Sequence, residues 1–285
     1  MPGTLYIVPT PIGNLEDMTP RAVRVLREVD VIACEDTRHT QKLLNHFDIR
    51  TRTVSYHEHN ERERAEELCK SLREEKSVAL VSDAGTPLVS DPGFRLVALA
   101  VAAEVSIVPL PGPAAFVAAL SAAGLPSDQF FFAGFLPARA TARRARLAEL
   151  ESVPGTLVFY EAPHRIAAAL RDASSVFGDR AAVVARELTK IHEEFVRGKL
   201  SELAATFGTN QKPRGEMVLI IGADNSRSGK NHHELPANSL VDRVSELEKE
   251  GLDSKAALKR AARELGLKRD EAYRLMLDQK NRRNK

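Results

Sequence analysis

The chain has only two cysteines, Cys34 and Cys69, among 285 residues. One ends an apolar strand-like run and the other sits on a helix-like face, so both read as structural thiols of a reduced compartment. No uninterrupted apolar run approaches the roughly 20 residues that a membrane-spanning helix requires. The N-terminal residues enter a strand-like segment without a basic-then-apolar signal layout, which predicts a cytoplasmic protein with no membrane partner. Nucleotide signatures are missing as well. No Gly-rich loop carries Lys and Ser/Thr at the phosphate-loop spacing, and no G-x-G-x-x-G follows a strand. These absences exclude nucleoside triphosphate and NAD readings. The chain lacks a G-x-S-x-G nucleophile elbow. His57 and His59 fall on one face of an extended segment, but no third ligand follows at suitable spacing, so no metal is expected. No repeat of fixed period is present.

What the chain does have is three stiff loops that follow apolar runs. The first, Pro9-Thr10-Pro11-Ile12-Gly13-Asn14, follows Leu5–Val8. The second, Ser82-Asp83-Ala84-Gly85-Thr86-Pro87, follows Val78–Val81, and the third, Pro109-Leu110-Pro111-Gly112-Pro113, follows Val105–Val108. Buried parallel strands read as unbroken apolar runs, and open α/β sheets bind ligands beyond the carboxyl ends of their strands. Proline fixes φ and glycine widens it, so such loops bring backbone close to a ligand. Three of them predict one pocket.

Strand-like and helix-like runs alternate, which predicts an α/β protein. Thr19-Pro20 reads as a helix cap and first turn, and Asn60 as the cap of a charged helix reaching Glu75. Ala114–Ala123 reads as a buried helix. Phe130–Leu136, Thr156–Tyr160, Ala181–Ala185 and Met217–Ile221 read as strands of a second sheet, with Glu193–Gly198 as an edge. The expected division is an N-terminal α/β domain over 1–111, a second over 112–222, a linker over 223–238 and a helical module over 239–285. Charge is unevenly shared along this plan. From Gly251 onward there are 11 Lys and Arg against 5 Asp and Glu, leaving 30 against 34 in the rest. A basic tail on a mildly acidic body suits a polyanion, or else a solubilising helix face. Ser254–Leu277 reads as helix, glycine turn at Gly266, helix, with Lys255, Lys259, Arg260, Arg263, Lys268, Arg269 and Arg274 on its polar faces, a pattern suited to RNA phosphates.

Several polar clusters sit at strand ends. Glu35-Asp36-Thr37-Arg38-His39 offers acid–base groups, or alternatively a helix cap with a surface Arg-His pair. Asp83 offers a hydrogen-bond acceptor for a ligand, or a cap. Asp91-Pro92-Gly93 reads as a cap. Beyond the second set of strands, Tyr160-Glu161, Arg186-Glu187-Leu188-Thr189-Lys190 and Gly215-Glu216-Met217 place three polar turns at sheet ends, the expected second wall of the cleft.

Taken together, the Pro9–Leu15, Glu35–Arg38, Ser82–Pro87, Pro109–Pro113, Arg186–Lys190 and Gly215–Val218 segments resemble the tetrapyrrole-methylase superfamily, and within it the members that modify ribosomal RNA. The resemblance covers nearly the whole chain. It implies two α/β domains with S-adenosylmethionine held in the cleft between them, plus a small all-helical, helix-turn-helix-like module. It implies methylation of the ribose 2′-hydroxyl of a decoding-region cytidine in 16S rRNA of the small ribosomal subunit, and a homodimer. The family's cofactor-facing positions fall here on Ser82, Asp83, Ala84, Leu88, Pro111, Gly112, Pro113, Ser121, Ala122, Tyr160, Arg186, Gly215 and Met217. Asp36 is the first candidate for the base that takes the hydroxyl proton, with Glu161 and His39 behind it and Arg38 as a phosphate contact. The small-molecule relatives have a glycine-rich first loop where this chain has Pro9–Asn14, so their tetrapyrrole sites are not carried over. The rival expectations are a small-molecule methyltransferase of the same superfamily and a non-enzymatic ribosome-assembly factor.

Overall fold

The computed structural model describes residues 3–209, 215–224 and 237–264, together with Ala272. By contacts the chain divides into one unit over Met1–Ala223 and a second over Asp224–Lys285.

The first unit contains two sheets. The first is built from β1 (Thr4–Ile7), β2 (Val31–Cys34), β3 (Thr53–Ser55), β4 (Val78–Leu80) and β5 (Ser106–Pro109), in the order β3-β2-β4-β1-β5. Every pairing is parallel. The connecting helices are α1 (Pro20–Glu28), α2 (Thr37–His46), α3 (Glu61–Arg73) and α4 (Phe94–Ala102). The first two start for a local reason. Thr19 accepts from the Ala22 N–H with Pro20 in the first turn, and Asp36 accepts from the Arg38 N–H. The sheet is apolar on both faces. Leu26 and Ile32 lie in the core on one side, and Leu72, Leu80 and Leu96 in the core on the other. The strand order places β2, β4, β1 and β5 side by side, so their carboxyl-end loops share one edge.

A helix, α5 (Ala115–Ala123), leads into the second sheet. It was expected to be buried, but only Ala119, Leu120 and Ala123 are, while Val117, Ser121 and Ala122 face solvent. The second sheet contains β6 (Phe130–Phe135), β7 (Thr156–Glu161), β8 (Ala181–Arg186), β9 (Glu194–Lys199) and β10 (Met217–Ile221), in the order β6-β7-β10-β8-β9. Only β6 and β7 are parallel. The other pairings are antiparallel, with Met217 opposite both Glu161 and Arg186. That register gathers the end of β7, the start of β10 and the end of β8 at one edge. Helices α6 (Ala140–Leu150), α7 (Ile166–Phe177) and α8 (Leu200–Phe207) cover one face. On the other face, α5 packs with Val158, Val183 and Val218, joined by Ile12 from the first loop. The α6–α7 contact holds a buried ion pair, Arg143 to Asp172 at 2.7 Å, with side chains 6% and 15% exposed. Arg143 also donates to the Ala138 carbonyl at 3.0 Å.

Within the second unit, α9 (Ala237–Lys249) and α10 (Ser254–Glu264) pack through Val244, Leu247, Ala257 and Ala261. Asp253 caps α10 by accepting from the N–H groups of Lys255 and Ala256. The expected glycine turn at Gly266 lies outside the described residues.

Candidate functional site

The three stiff loops do meet, and backbone joins them. Thr10 and Gly85 exchange N–H···O bonds of 2.9 and 3.0 Å. The Thr10 hydroxyl donates to the Ser82 carbonyl at 3.0 Å, and the Thr86 hydroxyl to the Pro113 carbonyl at 2.8 Å. Gly112 lies against Pro9 so closely that an added Cβ would stand 2.5 Å from the proline Cβ. The segment from Ser82 to Gly93 is also bent unusually. Leu88 and Ser90 adopt φ of 70° and 67°, left-handed values that cost a residue with a side chain on the order of 1 kcal/mol.

The first two of these loops line one wall of a cavity of ≈ 300 Å³, and the third, Pro109–Pro113, contributes no lining residue. Ile12, Glu35, Asp83–Thr86 and Val89–Asp91 line it from the first half, and Ala114 and Ala115 from the start of α5. Phe135, Tyr160, Glu161, Glu187, Leu188, Lys190 and Glu216–Val218 line it from the second. Its electrostatics are one-sided. Six carboxylates border it, and Lys190 is the one cation among the described lining residues. Lys190 is itself paired with Glu187 at 2.9 Å.

The carboxylates differ in how they are held. Glu161 is 1% exposed. Its Oε1 accepts from the Ala162 N–H at 2.8 Å and lies 3.1 Å from Arg165 Nε, while Oε2 has no hydrogen-bond partner. Burial pushes its carboxyl above the ordinary range, opposed by the Ala162 N–H and by Arg165. Glu187 packs on Gly215, where an added Cβ would stand 1.7 Å from its Oε1. Burial pushes Asp91 up to about 6, with the Ser82 hydroxyl opposing and Glu35, Asp83 and Glu216 adding to the shift. Glu35 is also raised, by burial and then by Asp83.

Of the expected cofactor residues, Asp83, Ala84, Tyr160 and Met217 line the cavity. Ser82 lies beneath it, its hydroxyl donating to the Gly85 carbonyl. Pro111, Gly112 and Pro113 do not line it, although Gly112 packs on Pro9 and the Pro113 carbonyl accepts from Thr86, and Leu88 packs into the core of the first sheet. Ser121 and Ala122 are exposed on α5, where the Ala122 carbonyl accepts from Arg197. Arg186 pairs with Glu194, and Gly215 makes room for Glu187. None of these last four lines the cavity.

Among the expected catalytic residues, Glu161 alone lines it. Asp36 instead caps α2 and pairs with the Arg38 guanidinium at 3.2 Å, a contact that holds its carboxyl below the ordinary range. Arg38 and His39 are exposed on α2. Asp91, read from sequence as a cap, is no cap. The N-terminus of α4 is served from α3, where Glu61 Oε1 accepts from the N–H groups of Gly93 and Arg95 and from the Tyr56 hydroxyl. Sequence reasoning also left Phe135 and Thr86 unassigned. Both sit at or just past strand ends, the same signal that marked Asp83. Lys255, Lys259, Arg260 and Arg263 are exposed on α10, whereas Lys268, Arg269 and Arg274 lie outside the described residues.

Known proteins share this design. The family model for Tetrapyrrole (Corrin/Porphyrin) Methylases matches residues 4–204. The Ribosomal RNA small subunit methyltransferase I of Micromonospora olivasterospora is 56% identical over 219 residues, covering 77% of this chain and 70% of that protein. Its namesake in Escherichia coli O157:H7 is 48% identical over 279 residues, covering 97% and 96%. Among solved structures, a diphthine synthase superposes with a TM-score of 0.60 at 17% identity, covering 78% of this chain and 90% of its own. The uroporphyrin-III C-methyl transferase of Thermus thermophilus complexed with S-adenyl homocysteine gives 0.55 at 21% identity, covering 77% and 97%. At such identities these two structures speak for the fold alone. The chain belongs to the tetrapyrrole methylases and, among them, to the ribosomal RNA small subunit methyltransferase I family.

Proposed function

We propose that this chain uses S-adenosylmethionine to methylate the ribose 2′-hydroxyl of a decoding-region cytidine in 16S rRNA of the small ribosomal subunit. The observation that carries the reading is the acidic, two-walled cleft. S-adenosylmethionine bears a sulfonium and an ammonium against one carboxylate, so a cavity bordered by six carboxylates suits it, while a phosphate-rich cofactor would be repelled. Phe135 and Tyr160, whose ring centroids lie 5.6 Å apart, add aromatic surface for an adenine or a cation. When bound, the donor supplies an electrophilic methyl group on a positively charged sulfur.

The rest falls to the protein. The stitched loops Pro9–Asn14 and Ser82–Pro87 hold backbone groups where a donor lies, and Asp83, Ala84, Tyr160 and Met217 contact it. Holding a ribose oxygen in line with the methyl group supplies about 7–11 kcal/mol of the barrier reduction open to orientation. Glu161, buried beside the cleft with one carboxylate oxygen unpartnered, holds a polar group of the ligands. Arg38, its side chain 90% exposed at the cleft end of α2, takes a backbone phosphate, since its pair with Asp36 is weak in water and readily exchanged. RNA is gripped further by Lys255, Lys259, Arg260 and Arg263. Exposed Phe130 and Phe131, on edge strand β6, suit contact with a second copy of the chain. The setting is the cytoplasm, where ribosomes are made; no helix among the described residues is long and apolar enough to cross a membrane.

The test is methyl transfer from tritiated S-adenosylmethionine to small subunits purified from cells lacking the protein, followed by mapping. Label confined to the ribose of one decoding-region cytidine is expected. Label absent from rRNA, or present on a tetrapyrrole instead, would refute the reading. In the same assay, Lys255→Ala with Lys259→Ala should weaken subunit binding and lower its salt slope by about 2.

A further inference from the structure

The carboxylates around the cleft are not equivalent, because most are already engaged. Asp36 caps α2 and does not line the cavity, Glu161 has one oxygen held by Arg165 and the Ala162 N–H and the other turned to the ligands, and Glu187 is paired with Lys190. Asp83 accepts from the Asp36 N–H at 3.2 Å. Glu216 is exposed to water, and Glu35 is faced by groups of the first half alone, namely Asp83, Glu58, His57 and Asp36. Asp91 differs on each count. It lines the cavity, it is half-buried, and it has no cationic partner among the described residues. It also stands where the two walls meet. From the first half it is faced by the Ser82 hydroxyl, Glu35 and Asp83, and from the second by Glu216 and the Tyr160 phenol. Its loop reaches across to β6, where a Cβ on Gly134 would lie 3.5 Å from the Ser90 hydroxyl. A base for methyl transfer belongs where the donor pocket meets the incoming ribose, and Asp91 stands where the two walls of the cavity meet.

We propose that Asp91 is the general base, accepting the proton of the ribose 2′-hydroxyl as that oxygen bonds to the methyl carbon. The carbon–sulfur bond breaks with its electron pair remaining on sulfur, a neutral thioether leaves, and Asp91 passes the proton to water. This assignment rests on the methyltransferase reading above and replaces Asp36 in the role. A carboxyl raised to about 6 is ionised at neutral pH yet basic enough to take part in proton transfer. Activity should therefore fall as the pH drops through that region. A bound sulfonium draws the same carboxyl lower, so donor binding near pH 6 should release roughly half a proton.

The experiment compares the wild-type protein with Asp91→Asn and Asp91→Glu. Calorimetry in two buffers of different ionisation enthalpy gives S-adenosylmethionine affinity and proton release at pH 6. Single-turnover methylation of small subunits between pH 5 and 8 gives the acid limb. Asp91→Asn should release no proton, bind the donor about five- to tenfold more weakly at pH 6 as the coupling to proton release requires, lose about 10²–10⁴-fold in rate and lack the acid limb. Asp91→Glu should recover part of the rate with a displaced limb, and this carries the test if the amide variant folds poorly. Four results would overturn the assignment: an Asp91→Asn rate within threefold of wild type, an unchanged acid limb in either variant, unchanged proton release, or loss of donor binding in a folded variant, which would make Asp91 a holder of the donor. A wild-type protein that moves no methyl to rRNA sinks the broader reading too, whereas an active wild type with an unaffected Asp91→Asn variant sinks the base assignment alone.

Discussion

The two halves of the first unit build opposite walls of one cleft by different means. The first half uses backbone: four neighbouring parallel strands end at one edge, and their loops are joined by main-chain bonds and by prolines packed on glycines. The second half uses paired charge: its antiparallel register gathers Glu161, Arg186 and Met217, and the side chains there are locked as Glu161–Arg165, Arg186–Glu194 and Glu187–Lys190. The first wall should therefore be the more sensitive to volume at its glycines, and the second to the loss of its charge pairs.

Four substitutions sharpen or break that contrast. The largest effect is expected in the second half. Arg143→Ala leaves Asp172 buried without its partner and should cost about 3–5 kcal/mol in urea unfolding. A cost below 1 kcal/mol would mean that charge pairing does not hold this half together. In the first half, Gly112→Ala forces a methyl group against Pro9 and should cost about 1–3 kcal/mol, with a loss of donor affinity of at least tenfold by calorimetry. Asp91→Asn should run the other way. The carboxyl is raised from 3.8 to about 6, so the folded protein binds its proton more tightly than the unfolded chain does. Stability from this group is complete below pH 4 and lost as the pH rises through about 6. Removing the charge should stabilise the protein by about 1–2 kcal/mol at pH 7 and by nothing at pH 4, read from melting curves at both values. The smallest effect is expected at the exposed pair Arg24–Glu28 on α1, where Arg24→Ala should change stability by less than about 0.5 kcal/mol.

The same contrast explains what was legible in the sequence. The parallel half announced itself: unbroken apolar runs marked its strands, Val31–Cys34 to the residue, and proline and glycine marked the loops that converge. The strands of the second sheet were equally plain, and Glu161 fell where strand-end reasoning placed it. Side-chain commitments were not legible. Asp36 offered itself as a base or a cap, and only the fold shows its carboxylate taken up by α2 and Arg38. Helix α2 was hidden inside a polar cluster, because few of its residues are apolar and only Thr40 and Leu44 are buried. The Arg143–Asp172 pair joins residues 29 apart on separate helices, and no local pattern marks such a contact. Asp91 was obscured by the Pro92-Gly93 that follows it, a sequence typical of a helix start. The capping duty belongs to Glu61, 32 residues before Gly93.

That displaced duty has a consequence for how the protein can be tuned. One oxygen of Glu61 receives three donors, two of them at the N-cap and first turn of the helix that follows Asp91. The Asp91 loop thus hangs from a peg on another helix, outside the pocket. Shortening or neutralising that peg would change where the loop sits, and with it the acidity of the cleft, without altering any group the ligands touch. With Asp91 as the proposed base, the pH response of the reaction would be adjustable from a distance.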